Sequence, residues 1–240
     1  MKNKFKLNPK IKGSGIIECI PQTSKCPMNC KDCFFQSGRS YLEPLNKNLP
    51  HIPSKEKAKN KIVRFNDGND SNNERMLVEK TAEQFKDCFF NTAIPNKLRE
   101  FFRPVVLTVN PGDMTDDNFF KLKEIPNNLM FVRVRVNSWN INSVVIPVIN
   151  YYTNKNVVVV LTFMAYYTRE LIKNFNDYIW HKRTTNDYWC LNSEKQEEIE
   201  NIFKENPYVY SCGYKYTYKC KFCGNCLREY FNTKERINNE

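Results

Sequence analysis

Cysteine is where this sequence concentrates its chemistry. The stretch "CPMNCKDCFF" places thiols at Cys26, Cys30 and Cys33, and "CGYKYTYKCKFCGNC" places four more at Cys212, Cys220, Cys223 and Cys226. The first spacing is C-x3-C-x2-C and the second C-x7-C-x2-C-x2-C. Thiolates are soft ligands, suited to zinc and to iron–sulfur clusters. Four of them close a site. For zinc, the Cys-x2-Cys-Gly turn ending at Gly224 is knuckle-like; for iron–sulfur, C-x2-C-x2-C is ferredoxin-like. Both readings stay open for the second group. Three thiolates leave a position unfilled. On a cubane cluster they hold three irons and leave the fourth free for a small molecule. His51 lies between two prolines and is a weak fourth ligand.

Other chemistries find little support. With two histidines in the chain, a histidine metal site or a Ser–His triad is not expected, and His51 and His181 carry no assigned role. No P-loop or dinucleotide fingerprint is present. Cys19, Cys88 and Cys190 stand alone and read as buried free thiols. No run of 18 apolar residues suggests a membrane span, and the basic start "MKNKFKLNPKIKGSG" lacks a secretory apolar region. The expectation is a soluble cytoplasmic protein, whose thiols serve as ligands rather than as a disulfide framework. The net charge of +11, from 37 Lys and Arg against 26 Asp and Glu, fits an anionic partner such as nucleic acid. It fits equally the Lys- and Asn-rich composition that AT-rich coding produces. The "YKYTYK" ribbon at 214–219 reads as a hairpin edge, or as a base-stacking strip for single-stranded nucleic acid.

Elements must position these groups. With 240 residues and 41% hydrophobic content, a sizeable core is available. Strands are expected at 15–20, 61–67, 103–111, 129–137, 157–165 and 208–213, with 88–94 ambiguous between strand and loop. Helices are expected at 72–87 (with Met76, Leu77, Ala82 and Phe85 at roughly helical spacing), 115–125, 143–153 despite Pro147, 168–183 and 193–206. Ser193 and Gln196 form a capping box for the last. Residues 36–60 read as an ordered surface loop. The alternation predicts an α/β fold: a partial (β/α)6-type TIM barrel with parallel strands and helices outside. Residues 1–206 form the barrel and 207–240 a small C-terminal cysteine-rich metal-binding extension.

Strand parity then separates two faces. Val132, Val134 and Val136 should meet the helices, while Arg133, Arg135 and Asn137 point into the barrel. Arg64 and Asn66, Thr108 and Asn110, and Thr162 and Met164 follow the same register. Polar inward groups near strand C-termini build active sites in such barrels.

A C-x3-C-x2-C loop after the first strand of a partial (β/α) barrel resembles the radical SAM superfamily. The resemblance spans the architecture over most of the chain, although its motif is eight residues long. It implies an oxidoreductase-type enzyme. Cys26, Cys30 and Cys33 would hold a 4Fe–4S cluster, and S-adenosylmethionine would chelate the open iron. Reductive cleavage would then give a 5′-deoxyadenosyl radical that abstracts hydrogen from a substrate. The electron would come from an external donor such as flavodoxin or ferredoxin. The C-terminal cysteines would hold a second 4Fe–4S cluster or zinc.

Two departures mark the match. The family places an aromatic before the third cysteine, where this chain has Asp32, followed by Phe34 and Phe35. The family's Gly-Gly-Glu on the second strand is replaced by "NDGNDS". Asn66, Asp67, Gly68 and Asp70 are the candidates for the methionine end, with Gly68 marking a tight turn. Asn110 is a candidate for ribose, Arg133 or Arg135 for the methionine carboxylate or an anionic substrate, and Thr162 and Met164 for the adenine pocket. The substrate, whether nucleotide, nucleic acid or peptide, is not readable. The competing reading is a zinc-bound nucleic-acid-binding protein without SAM chemistry.

Overall fold

The computed structural model describes residues 5–28, 30, 33, 41–110, 120–182, 187–212 and 219–239. Its frame is a seven-stranded, wholly parallel sheet curled into a half-barrel. The strands, in spatial order, are β1 (Ile16–Cys19), β2 (Ile62–Phe65), β3 (Cys88–Thr92), β4 (Val105–Val109), β5 (Leu129–Val136), β6 (Val159–Phe163) and β10 (Val209–Ser211). The ambiguous 88–94 segment is therefore a strand, held between β2 and β4. The segment 207–240 supplies β10 to this sheet, then the short helix α6 (Cys220–Cys223) and the long helix α7 (Asn225–Asn238).

The two faces of the sheet have different partners. One carries Val63, Phe65, Leu107, Val132, Val134 and Leu161, packed under helices α3 (Arg75–Ala82), α4 (Ile146–Thr153) and α5 (Ser193–Ile202). Burying each such side chain contributes about 1.5–3 kcal/mol. The other face begins with an apolar floor of Ile16, Ile62, Phe89, Val106, Phe131 and Val160, which meets Tyr230 of α7 and Cys220. One side-chain layer higher on the same face stand Glu18, Arg64, Asn91, Thr108, Arg133 and Thr162. Five of the six are buried, Thr108 half-buried. Strand period explains this layering, because a shift of two residues returns the side chain to the same face.

Helix α7 is fastened across the N-terminal edge of the sheet. The Tyr230 hydroxyl donates to Asp87 at 2.9 Å and Lys234 pairs with the same carboxylate oxygen at 2.7 Å. Arg236 donates to the carbonyls of Asn127 and Leu129.

Several expected helices are corrected. The 72–87 pattern is a helix only over Arg75–Ala82. Met76 is 86% exposed and Leu77 faces partly outward; the buried stripe is Val78, Thr81 and Ala82, continued by Phe85. Glu74, in the left-handed region at φ 52°, sets the helix start and hence its phase. Residues 168–182 do not form the expected helix, and residue 183 lies outside the described residues. In its place are 3-10 turns at Arg169–Leu171 and Phe175–Asp177 and strand β8 (Tyr178–His181). With β7 (Ala165–Tyr166) and β9 (Tyr188–Leu191) this makes a small antiparallel sheet. Cross-strand rings, Trp180 with Trp189 and His181 with Tyr188, override the local helical pattern.

Residues 120–125 are not helical, and the rest of the 115–125 candidate lies outside the described residues. Helix α4 starts at Ile146 after a π-type turn at Ile141–Val145, so Pro147 falls near its start, where a missing N–H is harmless. The cap of α5 is Asn192, whose side chain accepts from the Lys195 N–H at 2.7 Å, while Gln196 bonds to Glu200. The Ser193–Gln196 box is therefore not formed. Part of the 36–60 loop folds into short helices α1 (Leu45–Asn48) and α2 (Lys55–Ala58). Among the described residues, no helix is long and apolar enough to cross a membrane.

Candidate functional site at the strand C-termini

The loop after β1 turns over the C-terminal ends of β2 to β5. Gln22, fully buried, donates to the carbonyls of Asp70 and Asn73, and Asn69 donates to the Ser24 carbonyl. These bonds tie the cysteine loop to the turn after β2. Cys33 closes a turn onto the Cys30 carbonyl at 3.1 Å and packs against Ile20, Leu42, Leu45 and Leu49. Apolar cover for this cysteine thus comes from 42–49. Asp32, Phe34 and Phe35 lie outside the described residues.

One pocket brings the expected groups together. Cys26, Cys30 and Cys33 line it with Asn66, Asp67, Gly68, Asp70, Asn110, Arg133 and Arg135. Asn91 and Thr92 of β3 also line it; they were missed because their segment did not resolve as a strand from sequence. Met164 is not in this pocket. β6 ends at Phe163, the inward alternation stops there, and Met164 is buried in the helix-side core. His51 is elsewhere too. It is stacked on Phe5, with Nε2 at 3.5 Å from Glu18 Oε1.

The turn after β2 is organised by Asp70. Its carboxylate accepts from the Ala93 N–H at 2.7 Å, the Asn72 N–H at 2.8 Å and the Thr92 hydroxyl at 2.9 Å. Burial raises its pKa, and the Ala93 and Asn72 bonds work against that rise. Asp70 is thus a fixed structural acceptor, and Asp67 is ion-paired to Arg64. The left-handed residue of the segment is Asn66 at φ 58°; Gly68, expected to mark the tight turn, is not among the positive-φ glycines. Asn66 is 2% exposed, donates to the Ser71 hydroxyl, and leaves its Oδ1 without a hydrogen-bond partner. A buried orphan acceptor in a pocket is costly unless something fills it.

The electrostatics of the pocket are set by Arg133 and Arg135. Arg133 donates to Asn91 Oδ1 at 3.1 Å. Burial and the neighbouring Arg133 push Arg135 down to about 10, while Asp67, Cys33 and Cys212 oppose that fall. Burial raises the Cys26 thiol, countered by a backbone bond at Met28.

The second cysteine group is on the other side of this polar layer. Cys212 follows β10, its N–H bonded to the Leu161 carbonyl at 2.7 Å. It packs with Cys220 and Cys226 against the apolar floor. Gly224, at φ 63°, makes the left-handed link from α6 to α7, and Asn225 donates to the Ser211 carbonyl at 2.9 Å. Residues 213–218, including most of the Tyr–Lys ribbon, lie outside the described residues. Burial pushes Cys220 up to about 12. Cys212 is lowered, because Lys10, Arg133, Arg135 and Arg64 together outweigh its burial.

Among the described residues, no three His, Cys, Asp or Glu side chains converge closely enough to define a metal centre by themselves. Cys26, Cys30 and Cys33 share one pocket wall, and Cys212, Cys220 and Cys226 share the apolar floor. Comparison with family models, with curated proteins and with solved structures found no match to the chain.

Proposed function

We propose that the chain is a radical SAM enzyme, with Cys26, Cys30 and Cys33 as ligands of a 4Fe–4S cluster. The observation that carries the reading is one pocket at the C-terminal ends of parallel strands. It is lined by all three cysteines together with the polar side chains that parity directs inward. Cys26, Cys30 and Cys33 would hold the cluster, which would supply the electron for reductive cleavage of bound S-adenosylmethionine. The residues around it bind and orient. The orphan Oδ1 of Asn66 is an acceptor for the methionine ammonium, in place of the absent Gly-Gly-Glu. Arg133 or Arg135 is the partner for the methionine carboxylate. Asn110, at the end of β4, is within the same wall and suits a ribose hydroxyl.

The test is anaerobic reconstitution with iron and sulfide, followed by reduction in the presence of S-adenosylmethionine. The expected product is 5′-deoxyadenosine. An intact, reducible cluster that yields none would reject the reading. Zinc without iron or sulfide after anaerobic purification would instead favour a zinc-bound nucleic-acid-binding protein.

A further inference from the structure

The small sheet β7–β9–β8 is inserted where β6 ends, with Met164 between β6 and β7. Asn137 and Ser138, just past the end of β5, donate to the hydroxyls of Tyr166 and Tyr178. The small sheet is thus moored at the C-terminal ends of β5 and β6, the end of the half-barrel at which the cysteine pocket lies. One face of it changes character along β8, an edge strand. At the moored end Tyr178 is buried against Trp139 and Tyr166. Two residues on, Trp180 stands opposite Trp189 and is 44% exposed. The two indoles are 5.0 Å apart, and the Phe175 ring is 4.6 Å from Trp189. Cζ of the exposed Arg169 lies 4.0 Å from the centre of the Phe175 ring. Three rings and a planar cation therefore form one continuous strip, open to solvent at Trp180.

We propose that Trp180, Trp189, Phe175 and Arg169 form a stacking platform for the bases of a single-stranded nucleic acid, beside the C-terminal end of the half-barrel. Tyr166, Tyr178 and Trp139 already close the core here, so the exposed half of Trp180 is surplus to packing. Every base has a π-face, so rings in a row accept bases with little regard to sequence. A guanidinium stacks in the same row and keeps N–H groups for phosphate oxygens. The strip thus matches a base and its phosphate together. Among the described residues of this segment, Arg169, Lys173 and Lys182 are balanced by Glu170, Asp177 and Asp187. Long-range attraction of a polyanion therefore comes from the net charge of +11 over the whole chain, and the strip contributes stacking. The same charge opposes docking of a second copy on this face. The inference goes beyond the radical SAM reading and does not rest on it.

The test is fluorescence anisotropy of labelled oligothymidylate and oligouridylate with the full chain, without reductant or S-adenosylmethionine. At least one of the two strands should bind. An abasic strand of the same length carries the same phosphates without bases and should bind more weakly. Trp180→Ala should weaken binding roughly 5- to 150-fold, the range for one lost stacking contact, and by the same factor at low and high salt. Trp180→Phe should keep most of the affinity. Met76→Ala, at an exposed apolar residue of α3, is the control and should leave it unchanged. No binding of either strand would overturn the proposal, as would equal binding of the abasic strand or an unchanged affinity in Trp180→Ala. Self-association of the chain that Trp180→Ala removes while strand binding persists would assign the face to a second copy and also overturn it. If Trp180→Ala does not fold, the abasic comparison on the unsubstituted chain decides. Strand binding without 5′-deoxyadenosine formation would reject the first-site reading and leave this one standing; cleavage without strand binding would do the reverse.

Discussion

The two cysteine groups face the same polar layer but are held in different ways. The first sits on a loop whose position depends on hydrogen bonds from Gln22 and Asn69 and on the Asp70 turn beneath it. Its walls are side chains at strand ends, several of them amides and alcohols, with an orphan acceptor at Asn66. The second sits on helices packed into an apolar floor, anchored by Asp87 and by backbone carbonyls. A loop over polar strand ends can admit and orient a ligand. Cys212, Cys220 and Cys226 instead pack into an apolar floor. The three-cysteine and four-cysteine stretches thus lie in different surroundings, one at polar strand ends and the other in an apolar floor.

The largest expected effect comes from removing a first-site ligand. Cys30→Ala should abolish 5′-deoxyadenosine formation while Cys212→Ala preserves it; persistent cleavage in Cys30→Ala would break the distinction. Next is the scaffold of the first site. Asp70→Ala leaves the N–H groups of Ala93 and Asn72 without their acceptor and should cost about 3 kcal/mol in chemical denaturation. Outside both sites, Asn192→Ala removes the α5 cap and should cost about 1 kcal/mol without changing iron content.

The smallest effect concerns the floor helix. Asp87→Asn weakens the pairing with Lys234 and should cost about 0.5 kcal/mol, since the pair is partly solvent-screened. The hydrogen bond from Lys234, then that from Tyr230, holds the Asp87 carboxyl below its ordinary range. Its folded value is depressed, so this contribution is full above about pH 4. It is lost as pH falls through the folded value, and denaturation of wild type against Asp87→Asn should converge there.

Much of the frame was legible because strand signals are local. The valine–arginine alternation gave the core face (Val132, Val134, Val136) and the pocket face (Arg133, Arg135) of β5, and the same parity placed Arg64 and Thr108 inward. It did not hold at Asn137, which lies beyond the end of β5 and donates to the Tyr166 hydroxyl of the helix-side core. It failed at Met164, where the strand had already ended. The helix at 168–183 misled because its aromatic residues pair across strands, a contact no local window contains. Asn91 and Thr92 were hidden for a related reason: the strand "CFFNT" is buried on both faces and shows no alternation. The role of Asp70 in fixing the turn to β3 was also invisible, since two of its three partners, Thr92 and Ala93, are about twenty residues away on β3 and just beyond it.

The proposed open three-cysteine site and closed four-cysteine site differ in whether added S-adenosylmethionine perturbs their clusters. The most direct measurement is the electron paramagnetic resonance spectrum of the reduced, reconstituted chain with and without S-adenosylmethionine, in Cys212→Ala and in Cys30→Ala. The signal should shift on adding S-adenosylmethionine in Cys212→Ala and stay fixed in Cys30→Ala. A signal that shifts only in Cys30→Ala, or in neither variant, would contradict the proposal.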